Sequence, residues 1–263
     1  MRDVRLPLLL APVLLAACLD PTPIPESNYG VIGLNTVVGT SDTVLSPQAV
    51  FYRSGLLSLP TSRLASDQCQ VMDYPAPTQG GTLPRFLDAG DSVIVSTPTT
   101  TKFLFPVITA SGESYVMESS DRFPFHPGET VTITVPGAAG GFASGTITIA
   151  TASPFTVDPV PATPPIGDPL PITWSPAGDD STKILLSLRY GVSGEVEPNQ
   201  QIFCSLVDDG SAEIPETLVP AWRTATTGSR RVNAARWRVS VKEVSDGVLV
   251  VVSAFETEQG PAQ

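Results

Sequence analysis

Histidine occurs once in the 263 residues, at position 126, and cysteine three times, at positions 18, 69 and 204. One histidine rules out the HExxH zinc signature and any centre built on several imidazoles. Three cysteines without a CxxC pair rule out a cysteine-ligated zinc site and a disulfide-dense miniature fold. Basic side chains are few, 15 against 26 acidic ones, for a formal net charge of −11. Such a surface repels phosphate backbones, so no nucleic acid is expected as a partner. No window of 12 or more residues carries a helical apolar stripe. The apolar run nearest the N-terminus, residues 6–17, would span about 18 Å as a helix, well short of a ~30 Å hydrocarbon core. Pro7 and Pro12 interrupt it further.

What the chain does have is proline (27), glycine (21) and 41% hydrophobic residues. This composition suits short strands joined by turns around a packed core. Alternation with period two recurs. "TVTITV" (130–135) places Val131, Ile133 and Val135 on one face, and "GTITIA" (145–150) repeats the pattern with Ile147 and Ile149. "KILLSLRY" (183–190) aligns Ile184, Leu186, Leu188 and Tyr190. "RWRVSV" (236–241) sets Trp237, Val239 and Val241 against Arg236, Arg238 and Ser240. "GVLVVVSAF" (247–255) is apolar throughout, as in a strand covered on both faces. Short helical turns are expected near "LPTSRLAS" and near "IPETLV", where Pro215 can open the turn.

The N-terminus reads as an export signal: Arg2 and Arg5, then the short apolar run. The run ends in Leu15-Ala16-Ala17-Cys18, which resembles the lipobox of bacterial lipoproteins. That resemblance implies cleavage before Cys18, diacylglycerol on its thiol and an acyl group on the new N-terminus, with no other cofactor. Leu19, where a retained lipoprotein carries Asp, implies the outer rather than the inner membrane. On this reading residues 1–17 are a signal peptide, and 18–28, with three prolines in "LDPTPIPESN", are the lipidated cysteine and a tether.

The remainder is predicted as an all-β fold of two antiparallel, immunoglobulin-like β-sandwich domains, 29–155 and 170–258. A stiff linker, 156–169, lies between them in a stretch (153–171) with seven prolines, and 259–263 form a flexible tail. "LPITWSP" and "IFCSLVDDGSAEIP" are similar in rhythm to β-rich ectodomains of Gram-negative lipoproteins, a likeness that transfers no site.

Chemistry-bearing constellations are sparse. His126, in "FPFHPGET", reads as a turn residue, with a Ser-His-Asp site as the sharper alternative. Asp179-Asp180 and Asp208-Asp209 read as hairpin turns, with calcium as the alternative. Glu195 with Glu197, and Glu118 with Asp121, complete the carboxylate pairs a glycoside hydrolase would need. Cys69 and Cys204 each fall on an inward strand face, so buried free thiols in separate lobes are expected, with an interlobe disulfide as the alternative. Trp174 and Trp237 read as core. Trp222, in "VPAWRTATTGSRR" with Arg223, Arg230 and Arg231, reads either as a sandwich edge or as a candidate binding surface. The expected function is a lipid-anchored, non-catalytic binding or scaffolding module of the cell envelope. Its partners would be the membrane and an envelope protein or glycan. The alternative is a lipid-anchored hydrolase using carboxylates brought together by folding.

Overall fold

A computed structural model describes residues 27–38, 42–54, 67–75, 85–109, 112–176 and 181–259. Cys18, the tether up to residue 26, "LPTSRLAS" and Asp179-Asp180 lie outside the described residues.

Among the described residues, fifteen strands and one short helix follow in order. The first nine strands are β1 (Ser27–Val38), β2 (Thr43–Ser54), β3 (Gln68–Asp73), β4 (Arg85–Phe86), β5 (Val93–Ser96), β6 (Thr101–Thr109), β7 (Gly112–Met117), β8 (Thr130–Val135) and β9 (Gly145–Ala150). Then come β10 (Leu170–Thr173), β11 (Thr182–Tyr190), β12 (Gln200–Val207), β13 (Ser211–Ile214), α1 (Pro220–Thr224), β14 (Arg231–Val244) and β15 (Gly247–Gln259). A 3-10 turn, Glu216–Leu218, begins after Pro215 as the sequence predicts.

Alternation fixes the faces. Val131, Ile133 and Val135 are buried, as are Ile147 and Ile149, with the threonines between them turned outward. β15, flanked by β14 and β1, is buried on both faces at Leu249, Val250 and Val251, as its continuous apolar run predicts. "RWRVSV" departs from expectation. Arg236 is buried on the core-facing side and Val241 is exposed.

Pairing does not respect the predicted division into two sandwiches. One mixed sheet runs β3-β12-β11-β14-β15-β1-β2-β7-β6-β5-β8-β9, with β4 added on β2, and β10 and β13 form a separate ribbon. β1 lies parallel to β15, Asn28 beside Gly247 and Thr36 beside Phe255. β3, from the N-terminal half, pairs with β12 of the C-terminal half. The far end of the sheet curls back. Lys242 Nζ reaches the Thr146 carbonyl at 2.5 Å, and Ala152 N–H donates to Ser253 Oγ at 2.9 Å, bringing β9 against β14 and β15. One hydrophobic core therefore runs from Ile32 in β1 through Ile133 in β8 to Leu188 in β11.

The proline-rich stretch is a packed strap. Val157 and Val160 are buried, Val157 bridges to Trp174, and Asp158 N–H donates to the Thr173 carbonyl. Proline gives up an N–H but keeps its carbonyl. The carbonyls of Pro154, Pro161, Pro164 and Pro165 accept from side chains of the C-terminal half.

The expectation of separate free thiols is corrected by the same topology. Cys69 and Cys204 stand directly opposite in the β3–β12 register and form a disulfide. Cys204 is fully buried, as alternation predicts, whereas Cys69 is half-buried against the core and its face-mate Val71 is exposed. The pairing of β3 with β12 is what brings them together.

Candidate functional site

The strongest electrostatic cluster is buried. Asp208, just after β12, accepts from Arg236 through two bonds, Nε to Oδ2 at 2.6 Å and Nη2 to Oδ1 at 3.0 Å. Trp174 Nε1 donates to Oδ1 at 2.9 Å and Thr182 Oγ1 to Oδ2 at 2.8 Å. The remaining Arg236 donors reach the Pro154 carbonyl at 2.9 Å and the Ser175 carbonyl, and its guanidinium lies 4.8 Å from the Phe155 ring centre. Burial alone pushes the Asp208 carboxyl up. The hydrogen bonds from Arg236, Thr182 and Trp174, with the Arg236 charge, outweigh it and hold the group below the usual carboxylate range. Both side chains are essentially without solvent access, at 1% and 0% exposure. Every carboxylate oxygen has two donors, so this cluster joins β11, β12, β14 and the strap and presents nothing to a substrate.

The sequence-derived binding surface is also reassigned. Trp222 is fully buried, edge-on to Tyr190 with ring centres 6.0 Å apart, and its Nε1 donates to the Pro161 carbonyl at 3.0 Å. Arg223 donates to the carbonyls of Pro164 and Pro165 at 2.8 and 2.7 Å. Arg230 is buried and donates to the carbonyls of Trp222 and Arg223, while Arg231 donates to those of Gly228 and Arg230. A short helix leaves its last carbonyls unpaired, and a proline strap leaves more. The arginines satisfy them. Trp222 and Arg230 are thus a buried brace, with Arg223 and Arg231 bonding nearby carbonyls at its half-exposed edge, and the tryptophan is not an exposed platform.

Carboxylates elsewhere are dispersed. Asp209 accepts from Ser211 N–H in its own turn. Asp121 pairs with Lys102 at 3.1 Å. Glu195 and Glu197 lie in the β11–β12 loop and not on a strand. The His126 side chain is exposed; its carbonyl accepts from Thr151 Oγ1 at 2.6 Å and from Glu129 N–H, as a turn residue does. Among the described residues no group of three or more His, Cys, Asp or Glu side chains could hold a metal ion.

A concave feature suited to binding lies on the outer face of the C-terminal half. An open groove of about 540 Å³ runs between the strands β11, β12, β14 and β15 and the end of β1. Leu185, Phe203, Val37 and Val38 supply apolar walls, and Arg189, Asn233 and Glu256 supply polar ones. Arg189 is held in place: its Nε lies 3.3 Å from Ser187 Oγ, which donates to Gln201 Oε1 at 2.7 Å, and its guanidinium sits 4.4 Å over the Tyr74 ring. Asn233 Oδ1 and Thr36 Oγ1 are buried in the lining without a hydrogen-bond partner among the described residues. Such a volume, with apolar walls and a few fixed polar groups, suits a small ligand or a partner's side chains. Among the described lining residues Glu256 is the one carboxylate. A second groove of about 440 Å³, between β2 and the end of β7, shares Val37 with the first.

None of these lining residues stood out in the sequence. Arg189 and Ser187 could be read as the outward positions of β11, but the groove needs β1 beside β15, which no local pattern indicates.

Against known proteins, the chain matches no family model, no curated protein sequence and no solved structure.

Proposed function

We propose that this chain is a lipoprotein of the bacterial cell envelope, held to the membrane by acyl chains on Cys18, with a folded body that binds or scaffolds an envelope protein or glycan. The observation that carries the reading is the succession of Arg2 and Arg5, an apolar run too short to span, and Leu15-Ala16-Ala17-Cys18. The Cys69–Cys204 disulfide supports it, because such bonds persist in oxidising compartments such as the periplasm. Two acyl chains suffice for firm anchoring, at ~0.8 kcal/mol per buried CH₂. Leu19 after the cysteine favours the outer membrane. The mixed apolar and polar groove is the surface we assign to the partner.

Metabolic labelling with an acyl-chain probe tests the anchor. Label is expected on the wild-type protein in the membrane fraction, and Cys18→Ala is expected to lose the label and either leave the membrane or remain unprocessed. An unchanged mature mass and membrane fraction in that variant would overturn the proposal. For the groove, Asn233→Leu and Arg189→Ala are expected to weaken partner capture while leaving the unfolding midpoint within a few degrees of wild type.

A further inference from the structure

The end of the fold at which the chain enters is also the end at which one hairpin projects apolar side chains. β6 and β7 form a hairpin, with Phe105 opposite Val116 and Ile108 opposite Glu113. β7 meets β2 only at Gln48–Val116 and Ala49–Tyr115, so the outer part of the hairpin runs on beyond that pairing. There Val107 and Ile108 open to solvent on opposite faces of β6. Phe103, Phe105 and Val107 are exposed along one face of β6, the two rings 6.4 Å apart and stacked, and Ile108 on the other face is 84% exposed.

Register fixes where this hairpin points. Continuing from Ala49–Tyr115 puts Gly112 level with Tyr52, which pairs with Tyr29 two residues into β1. A side chain at Gly112 would run into the ring of Phe86, and Phe86 pairs with Tyr52. The outer end of the hairpin therefore lies beside the start of β1. The same end carries the Tyr29–Tyr52 ring pair, 5.8 Å apart, and Arg85, exposed and directly opposite Arg53. Asp246, held by Asn28 Nδ2 at 3.0 Å, and Glu113 are also there. Apolar side chains and not net charge must then carry any contact.

We infer that this end docks on the lipid bilayer, with Ile108 and Val107 entering the interface and Phe105 and Phe103 following along β6. The inference rests on the proposed lipid at Cys18. From Cys18 to Ser27 there are nine peptide steps, at most about 32 Å of chain. The opposite end of the molecule, where β11 turns into β12, lies at the Gln259 end of β15. The 13 residues of β15 put about 40 Å between the two ends. A tether of that length keeps the β1 end towards the bilayer, and exposed apolar residues flanked by tyrosine and arginine match an interfacial surface.

The test uses the full-length, acylated protein. With Cys69 and Cys204 bridged and Cys18 acylated, a cysteine introduced by Ile108→Cys is open to a polarity-sensitive thiol fluorophore. Val196→Cys, on the exposed β11–β12 loop, serves as control. Both labelled proteins are reconstituted into vesicles of phosphatidylethanolamine and phosphatidylglycerol containing a lipid-borne spin quencher. Quenching at position 108 is expected to exceed that at position 196 several-fold, with a blue shift at 108 only, and Phe103→Ser combined with Phe105→Ser is expected to reduce both signals. Equal quenching at the two positions in protein that floats with the vesicles would overturn the docking and leave the anchor standing. Failure to float would overturn both.

Discussion

Asp208 and Arg236 show how a residue's role can invert between sequence and structure. In the sequence, Asp208 belongs to a turn and Arg236 to a polar strand face, yet together they form a buried, fully satisfied ion pair. Removing one member leaves the other buried and unpaired, which costs about 3–5 kcal/mol. Asp208→Ala and Arg236→Ala are each expected to lose stability on that scale in denaturant unfolding. The double change Asp208→Leu with Arg236→Met is expected to recover part of it. The pH dependence follows from the sign of the shift. The folded carboxyl titrates below its unfolded value of about 3.9. Its contribution is therefore complete above that value and is lost as pH falls through the folded pKa. Acid unfolding of wild type should accordingly be steeper below pH 4 than that of the Leu/Met variant, and matching acid limbs would contradict this assignment.

Among the elements, β3 depends most on a single bond. It is a six-residue edge strand that, among the described residues, pairs with β12 alone, and even Val71, on the same face as Cys69, is 43% exposed. The disulfide closes a loop of 135 residues, which by chain entropy alone is worth about 5 kcal/mol. Cys69→Ser combined with Cys204→Ser is expected to lower stability by roughly 2–5 kcal/mol. Amide exchange is expected to rise first in Gln68–Asp73, with β14 and β15 still protected. If β3 and β15 lost protection together, the bond would be supporting the whole sheet and not one edge.

At the scale of the whole molecule, the shared sheet makes a clear thermodynamic statement. Two sandwiches joined by a linker would unfold independently. Here β1 is locked between β15 and β2, and the strap supplies carbonyls to Trp222 and Arg223. Calorimetry of the body is expected to give one transition, coincident with tryptophan fluorescence. All three tryptophans lie in the C-terminal half, so an earlier loss of strand signal than of fluorescence would reveal two units.

Much of the local structure was legible. Period-two alternation in "TVTITV", "GTITIA" and "KILLSLRY" fixed the buried faces, the apolar run of β15 marked a strand covered on both faces, and Pro215 marked the turn at 216. The groove and the brace were not legible. Each depends on a neighbour far away in the chain: Val37 beside Glu256, Trp222 beneath Pro161, Asp208 beside Arg236.

By itself the sequence determined the all-β class, the inward and outward sides of most strands and the net negative charge. These follow from composition and from the period of the side chains along a strand. Only the tertiary structure decided which strand lies beside which, and with that the disulfide, the burial of Trp222, the single core and the projecting β6–β7 hairpin. The physical reason is that alternation names a face without naming a partner. Hydrogen-bonding edges are chemically alike along every strand, so the choice among them is made by packing over the whole chain.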